Sequence, residues 1–211
     1  MDLERAKSAL EQTTGLGRPS VEEVASLLRR RKPATLWLRD DGVTPNNPHL
    51  PVVLYRSPVA LKPGRSAPSF DPAAAFETLF NANYWGGSWR NGMYDYEHWH
   101  AGTHEVLGIA RGKLSAHIGG MKNGRLIELR TGDVIVLPAG TGHHRHTASK
   151  DLLVVGAYPE GSEYDEVRPE DDDYAASLGN IWNLPLPLRD PVYGDHGPLV
   201  DIWKRASTAT H

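Results

Sequence analysis

Residues 92–112 read GMYDYEHWHAGTHEVLGIARG, and this stretch decides the fold. His98 and His100 stand two apart in a strand-like run, Tyr94–His100. Alternation along a strand therefore projects both imidazoles from one face. The short turn Ala101–His104 follows, and Glu105 begins the next apolar run. A hairpin at that turn would bring the carboxylate back beside the two rings. Residues 132–147, GDVIVLPAGTGHHRHT, supply a second half: an apolar run ends in the turn Pro138–Gly140, and His143 opens the strand after it. Three neutral imidazoles and one carboxylate suit a borderline divalent ion, with positions left for water or substrate.

Working outward, the flanks carry the texture of an antiparallel protein. Strand-like runs are expected at Thr35–Arg39, Val52–Arg56, Glu105–Ala110, Leu114–Ile118, Leu126–Arg130, Val134–Leu137, His143–Ala148 and Leu152–Tyr158, with Gly, Pro or Asn at most joins. Many short strands and few long helices argue a sandwich or barrel. One helix interrupts them: Asp71 is placed to cap it, Pro72 to occupy its first position, and Ala73–Phe80 to form its body. Residues 1–33 read as a mostly helical arm broken around Gly15–Pro19. Within it Ser20 and Glu23 form a capping box ahead of Val21, Val24, Leu27 and Leu28. The arm would pack on the domain or on a second subunit, or be loosely attached. A single domain is expected over 34–205, with Leu199–Trp203 as a last strand and 206–211 as a disordered tail. The acidic run Glu170–Asp173 reads as a solvated loop.

Composition narrows the chemistry. There is no cysteine, so disulfides, thiolate catalysis and thiolate metal ligands are excluded. A net charge of -3 gives no general attraction to nucleic acid or anionic membranes. No apolar run is long enough to span a bilayer, and the first residues lack the apolar core of a signal peptide. A cytoplasmic location is the resulting expectation. Of the ten histidines, seven fall between His98 and His146, which points back to the two stretches above.

Those stretches resemble the two motifs of the cupin superfamily. Gly92, His98, His100, Glu105 and Gly112 match the first motif at every gap. Gly132, Pro138, Gly140 and His143 match the second, while Thr147 stands where Asn is usual. The runs DDGVTPNNPHLPVVLY, WRNGMYDYEHWH, THEVLGIARG, GDVIVLPAGTGH and VVGAYPEG narrow the likeness to the YjlB-like bacterial cupins, over roughly Leu36 to Gly161. The resemblance implies an all-β double-stranded β-helix, the cupin jelly roll, here with N-terminal helices and a short helix before the first motif. It also implies a homodimer and supplies no substrate.

One divalent transition metal is therefore expected at His98, His100, Glu105 and His143, with iron, zinc, nickel or manganese as the candidates. A histidine-lined cavity without metal is the alternative. Strand parity puts Tyr94 and Tyr96 on the face of His98 and His100, and Arg145 on that of His143; Tyr96 and Arg145 are the groups that could orient a small-molecule substrate. Arg145 could equally pair with a structural acid. His104 is expected at the rim or just behind the ligands, and His144 and His146 on the opposite face from His143; His117 is undecided. Trp85, Trp89 and Trp99 are expected in packing, and Arg90 and Asn91 in a turn. Two readings of function compete: a metalloenzyme of dioxygenase-like or isomerase-like type acting on a small polar metabolite, and a non-catalytic small-molecule or oxyanion-binding protein. No nucleic-acid or membrane partner is expected.

Overall fold

The most apolar runs, around Glu105–Ala110 and Val134–Leu137, become strands that are buried on both faces, and this sets the layering. The computed structural model describes residues 17–61, 70–171 and 173–208. Its strands are β1 (Ala34–Leu36), β2 (Val52–Tyr55), β3 (Trp85–Asn91), β4 (Glu105–Arg111), β5 (Lys113–Ile118), β6 (Arg125–Arg130), β7 (Val134–Leu137), β8 (His143–Ala148) and β9 (Leu153–Pro159). They form a six-stranded sheet in the order β1-β2-β7-β4-β9-β3 and a three-stranded sheet in the order β6-β5-β8. Every paired neighbour runs antiparallel. This is the cupin jelly roll, flanked by helices.

Alternation sorts each strand of the large sheet between two cores. Val52, Leu107, Ile135, Leu137 and Val154 face Leu114, Ala116, Ile118 and Leu129 of the small sheet. Their neighbours Val53, Val106, Val134, Val136 and Val155 turn outward, under Phe76, Phe80, Leu199 and Trp203. A strand covered on both sides must be apolar at every position, which is why β7 reads VIVL.

The outer cover is helical. Helix α1 (Val21–Ser26) keeps the expected capping box, with Ser20 and Glu23 bonded reciprocally, and buries Val24 in the outer core, where it packs on the helix Pro72–Ala82. The other expectations for the arm, over residues 1–16, lie outside the described residues. Helix α2 (Pro72–Ala82) starts where expected, with the Asp71 carboxylate accepting from the Ala73 amide. Helices α3 (Tyr174–Asn183) and α4 (Pro198–Thr208) complete the set.

Three expectations are corrected. Leu199–Trp203 belongs to α4 and not to a last strand. Leu199, Trp203 and Ala206 are buried and Ile202 partly so, a helical recurrence that burial against the sheet rewards. The same helix carries residues 206–208, so the tail is ordered that far. In the acidic run Glu170, Asp171 and Asp173 are exposed, as expected of a solvated segment, and the helix over residues 174–183 follows it, through buried Ser177 and Ile181. Finally, Tyr94–His100 is no regular strand, whereas Trp85–Asn91 is one. His98 bridges to His143 while the next residue, Trp99, bridges to Val167. A backbone divided between two partners cannot extend either ladder.

Packing of α2 on the large sheet leaves no spare volume at Gly108. A Cβ there would lie 2.7–2.9 Å from three ring atoms of the fully buried Phe76. Gly108→Ala is expected to cost about 1–3 kcal/mol through overpacking. Urea unfolding at unchanged slope measures this, and unaltered stability would mean that α2 shifts freely.

Candidate metal centre

The irregular segment, β4 and β8 bring the four ligand candidates together. His98, His100, Glu105 and His143 are all at most 5% exposed. One nitrogen from each of the three imidazoles lies within 4.8 Å of the others, an arrangement positioned to chelate a divalent transition metal. Glu105 Oε2 stands 3.6 Å from His100 Nε2 and 3.3 Å from His143 Nε2. The turn expected at Ala101–His104 thus returns the carboxylate to the rings, but no hairpin forms across it: β4 pairs with β7 and β9, and His98 bridges to His143.

Backbone carbonyls aim each ring. His98 Nδ1 lies 3.3 Å from the Tyr96 carbonyl and His143 Nδ1 3.0 Å from that of Thr141. His100 Nδ1 is held by the Asp165 carbonyl. With each Nδ1 donating to a carbonyl, the Nε2 lone pairs are left for the centre, which is how metal-binding histidines are oriented. The turn ahead of His143 is pinned too: the Ala139 amide donates to His104 Nδ1 at 3.0 Å, and Asn47 Nδ2 donates to the Ala139 carbonyl at 3.0 Å.

Electrostatics fit a cation. Burial, then the positive charge that His143 and His100 can carry, lowers the His98 pKa to about 3, so this ring is a neutral donor. Burial alone would raise the Glu105 carboxyl, but His100 and His143 outweigh it and hold it below the usual carboxylate range. Burial likewise opposes charge on His100, and Glu105 overrides it, raising that pKa. Yet Glu105 Oε2 has no properly directed hydrogen bond although it is buried. A buried carboxylate oxygen in that condition is costly. A cation held between the carboxylate and the imidazoles would satisfy it, so the donor set fits a divalent metal.

The centre forms the floor of a cavity of about 740 Å³. Met93, Leu107 and Val154 supply apolar lining, and Trp89, Arg90, Tyr94, Tyr158 and Tyr164 supply aromatic and polar lining. Tyr158 accepts from Trp89 Nε1 at 2.8 Å and keeps its own proton to donate. Burial, followed by the Glu105 charge, raises its pKa strongly. Tyr164 is likewise raised, by burial and then by Glu166. The Arg90 guanidinium is bound by Glu77 through two contacts of 2.7 and 2.8 Å and by Asp71, so its charge is already neutralised.

Of the groups that parity places beside the ligands, Tyr94 lines this cavity, whereas Tyr96 and Arg145 do not. The Tyr96 hydroxyl donates to Glu166 at 3.3 Å, and Arg168 stacks over its ring. The Arg145 guanidinium pairs with exposed Asp95 at 3.2 Å, the structural-acid alternative. Alternation holds only in regular strands: Tyr96 lies in the irregular segment, and the β5–β8 register shifts between the partners of Ser115 and Ala116, beside Arg145. His104 is fully enclosed against Trp203, not at a rim, and burial lowers its pKa to about 4. Trp85 and Trp99 are buried as expected, whereas Trp89 lines the cavity and Arg90 and Asn91 end a strand rather than shape a turn. The sequence reading missed Tyr158, Tyr164 and Asp165. Tyr158 ends an expected strand, and its parity would have nominated it; Tyr164 and Asp165 lie in a stretch with no periodicity at all.

No protein-family profile matches the chain. An uncharacterised protein of Bacillus subtilis, YjlB, is 36% identical over 173 residues, covering 82% of this chain and 98% of that one. Among solved structures, a mutant of Bacillus subtilis oxalate decarboxylase aligns with a TM-score of 0.35 and 19% identity, over 56% of this chain and 27% of that one. An 11S globulin from Wrightia tinctoria aligns with a TM-score of 0.32 and 15% identity, over 38% of this chain and 22% of that one. The chain thus spans about a quarter of the length of those structures.

Proposed function

This chain belongs to the YjlB-like family of cupins, and we propose that it is a metal-dependent enzyme acting on a small polar metabolite. In this reading His98, His100, Glu105 and His143 are the ligands. The observation that carries it is the convergence of four buried donors at the floor of a cavity large enough for a metabolite. A divalent ion held there supplies Lewis acidity, or redox chemistry if it is iron.

The chain's own residues do the rest. Met93, Leu107 and Val154 exclude water beside the centre and seat the less polar part of a substrate. Tyr158, protonated at neutral pH, donates a hydrogen bond toward an oxygen of the substrate, and Tyr164 flanks the approach. These two phenols take the orienting role that strand parity gives to Tyr96 and Arg145. Arg90, held by Glu77 and Asp71, supports the wall and does not capture an anion.

The test starts with elemental analysis of protein purified without a histidine tag. It continues with oxygen uptake by the iron-loaded form, and product analysis with the zinc, nickel and manganese forms, across small acids, diketones and sugars. Turnover with one metal supports the enzyme reading. Thermal shifts with ligands but no turnover under any metal would instead favour the binding reading. Tyr158→Phe is expected to leave metal content unchanged and weaken azide binding at the cobalt-loaded centre by about tenfold, the worth of one hydrogen bond of about 1.5 kcal/mol. Unchanged azide affinity would remove Tyr158 from this role.

A further inference from the structure

A second group of ligating side chains, Glu97, His117 and His144, lies behind the first. Alternation explains its position. Glu97 precedes His98 and His144 follows His143, and those two histidines face each other in an antiparallel bridge. Their neighbours therefore turn to the other side of the same backbone. His117 joins from β5, where it is the register partner of His144.

The geometry is that of a ligand set. One donor atom from each residue lies within 4.8 Å of the others. Glu97 Oε2 is 2.5 Å from His144 Nδ1, and the His117 and His144 rings are 5.0 Å apart at 31°. Two further polar atoms, Glu97 Oε1 and His117 Nδ1, are buried with no hydrogen-bond partner. Orphaned groups of this kind are costly unless something else occupies their lone pairs. The backbone also makes room for both side chains: a Cβ at Gly142 would lie 2.2 Å from Glu97 Oε1, and one at Gly124 2.6 Å from the His117 ring.

We propose that Glu97, His117 and His144 form a second divalent transition-metal site, separate from the centre at His98, His100, Glu105 and His143. Two imidazoles and one carboxylate suit zinc, iron, cobalt or nickel, with water completing the shell. Its role is that of a clamp. Glu97 comes from the irregular segment between β3 and β4, whereas His117 and His144 come from the small sheet. A metal joining them pins that segment to the sheet, and with it the backbone of His98.

The test uses the full chain, stripped of metal by dialysis against a chelator and titrated with zinc ion alone. Wild type is expected to retain two equivalents after gel filtration. His117→Asn and Glu97→Gln, each checked for folding by circular dichroism, are each expected to retain one. His100→Ala is expected to lose the other equivalent and keep this one, which separates the two sites. In the cobalt-loaded protein, the visible bands lost in His117→Asn should be those retained in His100→Ala. A single equivalent in wild type that both His117→Asn and Glu97→Gln retain would overturn the proposal and leave Glu97–His144 as a plain ion pair.

Discussion

Glu105→Gln is expected to abolish metal retention at the cavity floor while leaving the apoprotein folded. The substitution keeps the side-chain volume and removes the one negative charge among three imidazoles. Residues that merely orient a metal ligand are worth about 10–100-fold in affinity, so loss of an anionic ligand should cost more than about 100-fold. Free metal at about a hundred times its Kd stabilises a folded protein by about 2.7 kcal/mol. For a chain of this length that corresponds to a rise in Tm of about 5–10 °C. Wild type should gain this increment from the cavity-floor site and Glu105→Gln should gain none of it. Measuring both in a His117→Asn background isolates this centre from the second site. Retained stoichiometry and an undiminished thermal shift in that background would mean that Glu105 is not a ligand.

Asp190→Ala is expected to produce the largest loss of stability, at a distance from the metal. Asp190 is fully buried and collects four donors: the Tyr55 hydroxyl at 2.5 Å and the amides of Val192, Tyr193 and Leu199 at 2.8, 3.0 and 3.0 Å. It ties β2 of the large sheet to the start of α4, whose Trp203 closes over the sheet and His104. Burial, reinforced by the Asp190 charge, raises the Tyr55 pKa so far that the phenol is a permanent donor. Each donor left unmet in the interior costs about 1–3 kcal/mol. Allowing for water entering the space, the sum is about 3–5 kcal/mol, or a fall in Tm of about 6–20 °C. Tyr55→Phe removes only one donor and should cost about 1 kcal/mol. Chemical denaturation of both variants measures the ratio; equal small effects would mean that α4 is held by apolar contacts alone.

The candidate ligands were legible because most of their information is local. His98 and His100 are joined by alternation and Glu105 by one short turn, while His143 joined them through the resemblance of the second stretch to a cupin motif. Glu97 and His144 were one residue from ligands, yet nothing local says that the back of the bridge meets His117 on β5. Asp190, Asp165 and Tyr164 lie where the sequence has no period, and their roles exist only through partners tens of residues away. Leu199–Trp203 failed for another reason: a short apolar run fits strand and helix alike, and the recurrence that decides it extends to Ala206.

The stretch Gly92–Gly112, with its counterpart at Gly132–Thr147, therefore determined the fold family and the candidate ligands by itself. The ligand spacing follows from strand alternation and turn length, which the chain imposes locally, and the fold family follows from the resemblance of the two motifs. The tertiary structure decided what surrounds those ligands. It turned Arg145 out to Asp95, put Tyr158 and Tyr164 on the cavity, used the Asp165 carbonyl to aim His100, and gathered Glu97, His117 and His144 behind the first site. Those contacts depend on how two sheets and the segments between them close on each other, and the energy of that closure is non-local.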